Sequence, residues 1–382
     1  MEKWQFPPID LLDEPSVEDT KLQDTEKNSD IIIDVLKSHD IEVSINPDEI
    51  KVGPTFTQYP LEVKSPILIS KIIELEKEIT LAVASVSGTI RMKNPIPGTS
   101  KIGIEIPNNK RQMFYFKTAA EALREESNDS NILFPLGIDV ESKIHTQDIK
   151  KLPHLMIGGN TGSGKSMLLH NIILSVLLNK TPDKVKLMLI DPKLVEFSIY
   201  EGIPHLINPV ITDSREGADM LSWAVEEMER RYKLLSEAKV RTNKDYNDKI
   251  GKIELPDILI IVDEVEEIMI QDPALVEKSI IRLAQMAKNI GIHLIIANSR
   301  INIFTFTGLI SANINSKAAF RTQNQIDSRV IIYQPGAEKL LGNGDMLFLP
   351  SDSMKPLRLQ GSYISLKETE RVVDFVKKQA QI

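Results

Sequence analysis

The run "HLMIGGNTGSGKSMLLHNIIL", residues 154 to 174, constrains this chain more than any other stretch. A short apolar segment, a glycine-rich turn and a long apolar segment of helical length follow one another without a break. Gly159, Asn160, Thr161, Gly162, Ser163, Gly164, Lys165 and Ser166 fit the pattern G-x-x-x-x-G-K-[ST]. Glycines let backbone N–H groups approach and surround phosphates, and the helix N-terminus adds the positive end of its dipole. Lys165 supplies a charge to the β and γ phosphates of ATP, and the Ser166 hydroxyl suits Mg²⁺. An ordinary glycine turn with a surface lysine would need neither the strand before it nor the helix after it.

A second stretch completes the pattern. In "DILIIVDE", residues 257 to 264, an apolar strand delivers two carboxylates to the edge where a phosphate loop would lie. Asp263 is expected to hold the magnesium, and Glu264 to orient and deprotonate the attacking water. An acidic residue directly after the aspartate favours an ATPase over a kinase, whose acceptor is a substrate hydroxyl. The next strand, "HLIIANSR", ends in Asn298 and Ser299, candidates for sensing the γ-phosphate. Short polar residues at a strand end are equally common as turn formers.

Around these stretches the pattern is α/β. The segments "HLMIGG", "VKLMLID", "DILIIVDE" and "HLIIANS" alternate with helical stretches from about residues 165 to 178, 215 to 238 and 273 to 289. Continuous apolar strands separated by helices indicate a parallel sheet covered on both faces. "GDMLFLP" and "LRLQGS" read as a hairpin. Before this unit, "DIIIDVLKSHDIEV" suggests a short helix and a strand, and "IKVGPTFTQYPLEV" two extended pieces around Gly53-Pro54. "SKIIELEKEITLAV" has helical spacing, and "GTIRMKNPIPGTSKIGIEIPN" has strand-like alternation. The expected organisation is a flexible acidic arm over 1–30, a small α+β domain with its linker over 31–130, and the phosphate-loop unit over 131–382.

Charge supports the arm. Residues 1 to 30 hold nine acids against three lysines, so they carry six of the eight net negative charges of the chain. The remainder is near neutral, so any nucleic-acid surface must be a local patch. There is no cysteine, which excludes disulfides, thiol nucleophiles and Cys-ligated metals. No apolar run of about 18 residues exists, and the N-terminus lacks a signal-peptide pattern. The expected location is the cytoplasm.

Several ordered stretches carry a family resemblance. "PHLMIGGNTGSGKS", "LMLIDPKLVEFSIYEGIPHLINPVITD", "AVEEMERRYKLLSEAKVRTNKDYN", "ILIIVDEVEEIM", "IIRLAQMAKNIGIHLIIA" and "GLISANINSKAAFRTQNQIDSRVIIYQPGAEKLLGNGDMLFL" resemble the motor of the FtsK/SpoIIIE DNA translocases. "VGPTFTQYPLEV" and "NPIPGTSKIGIEIPN" resemble the small domain that precedes that motor. The resemblance runs from about residue 31 to about residue 365. It implies a RecA-like P-loop ATPase that assembles as a hexameric ring on double-stranded DNA and hydrolyses ATP between subunits. Lys193, Arg230 and Arg231 match family positions near the nucleotide or the subunit interface. "IDSR" and "GAEKLLGNGD" match a region near the central channel, which makes Arg329 and Lys339 candidate DNA contacts.

The chain departs from the family pattern at two site positions. Ser299 stands where a glutamine is usual and Lys317 where an arginine is usual. If both face the nucleotide, hydrolysis is expected to be slow, with Asn298, Arg300 and Arg321 as substitute donors. The expectation is a motor without the membrane anchor and without the small DNA-reading winged-helix domain of other members, and therefore sequence-indifferent binding. Two alternatives stay open: a coupling or secretion ATPase of the same superfamily, and a nucleotide-dependent scaffold with little turnover.

Overall fold

The computed structural model describes residues 4–14, 25–64, 68–85, 88–96, 98–109, 112–128 and 130–379. The first unit contains α1 (Thr25–Ser38), β1 (Val43–Ile45), β2 (Lys51–Val52), β3 (Phe56–Val63), α2 (Ile69–Glu74), α3 (Glu76–Ala82), β4 (Arg91–Lys93) and β5 (Ile102–Pro107). Its strands form an antiparallel sheet in the order β1-β3-β5-β4, with β2 on β3. Tyr59 and Leu61 of β3 and the isoleucines of β5 pack against Ile32 and Leu36 of α1, Ile72 of α2 and Ile79 of α3. The stretch expected as one helix is two, divided at Leu75, whose backbone (φ −83°, ψ 9°) leaves the helical region.

The second unit runs through α4 (Phe116–Glu126), β6 (Leu133–Ile138), β7 (Ile144–Asp148), β8 (His154–Gly158), α5 (Lys165–Asn179), β9 (Val185–Ile190), α6 (Ser214–Glu237), α7 (Asn243–Ile250) and β10 (Asp257–Val262). It continues with α8 (Val265–Met269), α9 (Pro273–Met286), β11 (Ile292–Asn298), α10 (Gly308–Asn313), β12 (Ser316–Phe320), α11 (Gln325–Ile332), β13 (Asp345–Leu349), β14 (Leu357–Gln360) and α12 (Leu366–Gln379). Among the described residues the strands form one sheet in the order β7-β6-β14-β13-β12-β8-β11-β10-β9. From β12 to β9 it is parallel. From β12 to β7 every pairing is antiparallel, including the expected β13–β14 hairpin. The sheet is therefore mixed, and the parallel half carries the phosphate loop.

Alternation along the strands builds two cores. Leu155 and Ile157, Leu187 and Leu189, and Leu259 and Ile261 face α5 and α12. Met156, Met188, Ile258 and Ile260 face α6 and α9. Helix α5 is apolar nearly all round because the sheet lies on one side and α4 and α12 cover the others; Leu168 to Leu178 are all buried.

Two expected boundaries move. Phe116, Ala119, Ala120 and Leu123 of α4 belong to the core under α5, so this helix goes with the second unit and not with the linker. The acidic arm is not wholly solvated. Leu12 is buried, Trp4 meets His205 edge-on at 5.6 Å, and Glu14 and Asp13 pair with Lys117 and Arg371. The acids of this segment answer basic residues of the second unit, and α1 already starts at Thr25. The stretch 15–24 lies outside the described residues.

A buried ionic cluster joins the two units. Arg358 of β14 donates to Asp345 of β13 at 2.8 and 3.0 Å and to Glu105 of β5 at 2.6 Å. Its guanidinium sits 4.0 Å from the Phe56 ring centroid. Burial works against its charge, but Asp345 and Glu105 outweigh that and raise its pKa.

Candidate functional site

The carboxyl ends of four parallel strands meet at one rim. Strand β8 runs into the loop Gly159–Ser166, and α5 starts at Lys165. Gly164 has φ +116°, and a Cβ there would lie 2.5 Å from the Gly344 nitrogen. Gly159 is equally confined, 2.6 Å from the Phe320 Cβ. Only glycine fits both the backbone conformation and the space. Backbone bonds fix the loop from outside: Asn160 N–H donates to the Arg321 carbonyl at 2.8 Å, and Gly344 N–H donates to the Ser163 carbonyl at 2.9 Å.

Lys165 is buried and donates to the Asn160 carbonyl at 3.0 Å. Burial lowers its pKa, while Glu264, Asp263 and Glu196 oppose that shift. Ser166 Oγ donates to Glu196 at 2.6 Å, which leaves its lone pairs free for a cation. Strand β10 delivers Asp263 and Glu264, both buried. Burial, then the charges of Glu264, Glu196 and Asp191, pushes Asp263 up to about 7. A carboxylate crowded by carboxylates beside a hydroxyl is a donor set that fits a divalent cation such as Mg²⁺.

Glu264 holds a left-handed backbone, φ 51°, uncommon for a residue with a side chain. Its carboxylate accepts from the Ser299 N–H at 3.2 Å and from the Ser299 hydroxyl, and faces the Lys193 ammonium at 3.4 Å. Ser299 is thus at the site, but its donors go to Glu264. Ser299→Ala is expected to lower turnover about tenfold, the effect of one lost hydrogen bond to a charged group, while the dissociation constant for ATP stays unchanged. Equal loss in both would show that Ser299 holds nucleotide and not the glutamate.

The other candidates are dispersed. Asn298 is buried and accepts from the Glu266 N–H at 3.1 Å, bracing α8. Lys317 is fully buried on β12 and donates to the Ser311 carbonyl at 2.8 Å and to that of Ile314, closing the end of α10. Burial pulls it down to about 8. It is absent from the lining of the cavity at this rim. Arg231 is buried and donates to the carbonyls of Pro256 and Ile290, at 2.7 and 2.8 Å. Arg230 is more exposed and holds Glu227 with two bonds, at 2.6 and 2.8 Å. Lys339 pairs with Glu76 of α3 at 2.6 Å. Arg329, Arg300 and Arg321 are exposed.

A cavity of about 800 Å³ opens along this rim. Thr161, Lys165, Ser166, Lys193, Asp263, Glu264 and Ser299 line it. So do residues that sequence reasoning passed over. Glu196 bonds Ser166 and lies 3.3 Å from His170, whose hydrogen bond holds the Glu196 pKa down. Gly342 to Gly344, at the end of "GAEKLLGNGD", line it as well, and Gly344 lies against the phosphate loop. Thr55, Gln112 and Met113 reach it from the first unit and the linker. No local signal marks these residues, because each comes to the cavity through tertiary packing.

Comparison with known proteins agrees with this geometry. The profile of the FtsK/SpoIIIE family matches residues 117–303, and that of the FtsK alpha domain matches residues 6–108. The chain belongs to the FtsK/SpoIIIE family. It is 43% identical over 375 residues to the DNA translocase FtsK of Caldanaerobacter subterraneus subsp. tengcongensis, covering 97% of this chain and 52% of that protein. It is 40% identical over 384 residues to the DNA translocase SpoIIIE of Bacillus subtilis, covering 98% of this chain and 48% of that protein. The chain thus spans about half the length of these curated relatives. Among solved structures, the conjugation coupling protein TcpA of pCW3, in its monomer form with ATPγS, matches with a TM-score of 0.64 at 20% identity. That match covers 93% of this chain and 99% of TcpA, and it shows a shared fold across both units. In this FtsK/SpoIIIE chain the alpha-domain match thus falls on the first unit and the family match on the larger part of the second. No helix among its described residues is long and apolar enough to cross a membrane.

Proposed function

We propose that the chain is the motor of an ATP-driven translocase of double-stranded DNA, acting as a homo-oligomeric, hexameric ring of the kind the family resemblance implies. The observation that carries this reading is the convergence of Lys165, Ser166, Asp263 and Glu264 on one cavity, in a chain 43% identical to a protein named DNA translocase.

The loop amides of Gly159 to Ser166 cradle the phosphates, with Lys165 against the β and γ groups. Ser166 and Asp263 would hold Mg²⁺, which would supply charge neutralisation at the phosphates. Glu264, held by Ser299 and Lys193, orients the attacking water and takes its proton. Glu196 keeps the Ser166 hydroxyl pointed, and His170 keeps Glu196 ionised. Arg329, exposed on α11, remains the candidate for touching the DNA backbone.

The likeness to a conjugation coupling protein favours one second reading, delivery of a nucleoprotein through a pore. The deciding measurement is steady-state ATPase rate with and without long linear duplex DNA. The translocase reading expects DNA to raise the rate severalfold, with the increase fading as salt rises. A rate indifferent to duplex DNA overturns it. No phosphate release under any condition leaves a nucleotide-dependent scaffold as the reading.

A further inference from the structure

The cavity wall comes from two units of different chemistry. The motor contributes the charged strand ends. The alpha domain and linker contribute Thr55, Gln112 and Met113, and Tyr363, just after β14, stands with them. A line of backbone hydrogen bonds ties this second wall to the phosphate loop. Gly344 N–H donates to the Ser163 carbonyl at 2.9 Å, and Gly361 N–H to the Gly344 carbonyl at 2.8 Å. Two residues on, Tyr363 N–H donates to the Phe114 carbonyl at 2.7 Å, and Gln112 N–H to the Pro54 carbonyl at 2.8 Å. The loop carrying Thr55 is locked in turn, since Asn108 donates to the Gly53 carbonyl at 2.7 Å. The wall is therefore placed as firmly as the loop itself.

Its side chains are those a purine ring needs. Met113 and Tyr363 are 56% and 41% exposed, large apolar groups left open at a cavity. A thioether and a phenol ring both pack well against a flat π-system. Thr55 is 4% exposed, yet its Oγ1 has no hydrogen-bond partner. A buried hydroxyl without a partner is costly and calls for an explanation. The Gln112 carboxamide adds a donor and an acceptor. The cavity volume is ample for a nucleoside triphosphate.

We propose that Thr55, Gln112 and Met113, facing Tyr363, form the purine subsite of the nucleotide pocket, so that the alpha domain reads the base while the motor holds the phosphates. This rests on the nucleotide reading above. It makes base recognition dependent on how the two domains sit together.

The test is calorimetric binding of two probes, ATPγS and inorganic tripolyphosphate, each with Mg²⁺, to the full chain. Tripolyphosphate reports the phosphate half alone and doubles as a check of the fold. Thr55→Val with Met113→Ala is expected to weaken ATPγS about tenfold, a lost hydrogen bond plus lost packing, and to leave tripolyphosphate unchanged. Thr55→Val alone keeps the shape of the side chain, and its share of the loss is expected to return in Thr55→Ser. Equal weakening of both probes overturns the subsite, since the wall would then act by shaping the phosphate loop. Unchanged ATPγS binding overturns it as well. A wild-type chain that binds neither probe overturns the nucleotide reading itself, and the subsite with it.

Discussion

Glu264→Gln is expected to bind ATP as the wild type does and to turn it over roughly 10²–10⁴ times more slowly, the range for a lost general base. Lys165→Ala is expected to fail earlier, at binding. The contrast follows from where each charge sits. Lys165 is buried at the start of α5, inside the loop that would enclose the phosphates. Without it, the carboxylates of Asp263, Glu264 and Glu196 face the incoming phosphates with no opposing charge from that loop. Glu264 stands one residue beyond the Asp263 cation position, and its oxygens are held by Ser299 and Lys193. Glutamine has the same shape and keeps an acceptor oxygen for Ser299, but it cannot take a proton. Equilibrium binding of ATPγS and single-turnover phosphate release separate the two effects. Turnover by Glu264→Gln near the wild-type rate would reassign the base, with Glu267 the next carboxylate in reach of Lys193, at 3.6 Å. Tight ATP binding by Lys165→Ala would remove the assigned grip on the phosphates.

What sequence revealed of this site follows a physical line. The phosphate loop was legible because its geometry demands glycines at fixed intervals, and Gly159 and Gly164 admit nothing else. Asp263, Glu264 and Ser299 were legible because β10 and β11 are continuous apolar runs, so the first polar residues after them must emerge at the sheet edge. The remaining charged candidates had no such guide. Arg231 and Lys317 look in sequence like free cations, yet each ends in the core against backbone carbonyls brought from other elements. Lys339 finds Glu76, and Glu14 finds Lys117, across separations that no local pattern encodes. The β6–β7 pair was hidden for another reason. Strand β6 contains Pro135 and Gly137, and its register with β7 shifts between them, so the alternation that signals a strand is broken. Acidic composition marked the N-terminal segment as solvated, and composition does not register partners such as Arg371.

Arg358→Leu is expected to cost about 3–5 kcal/mol of stability, because it strands two buried carboxylates and not one. Glu105 and Asp345 are each 1% exposed, and Arg358 is the group that bonds both. Arg91 reaches Glu105 at 3.3 Å, so Glu105 keeps some compensation; among the described residues no other cation pairs with Asp345. The loss is expected as a lower urea midpoint, with alpha domain and motor unfolding in separate steps where the wild type unfolds in one. Adding Glu105→Gln and Asp345→Asn to Arg358→Leu removes the stranded charges and is expected to recover most of the midpoint. The cluster also bears on the nucleotide. Asp345 follows Gly344, whose N–H donates to the Ser163 carbonyl of the phosphate loop, and its carboxylate accepts from the Leu341 N–H at 2.8 Å. Freed from Arg358, Asp345 no longer fixes that turn, so ATPγS binding is expected to weaken along with stability, even at urea concentrations where the variant is folded. An unchanged midpoint in Arg358→Leu would mean that water reaches the cluster and screens its charges. A lower midpoint with undisturbed ATPγS binding would mean that the turn at Gly344 is held by the phosphate loop alone.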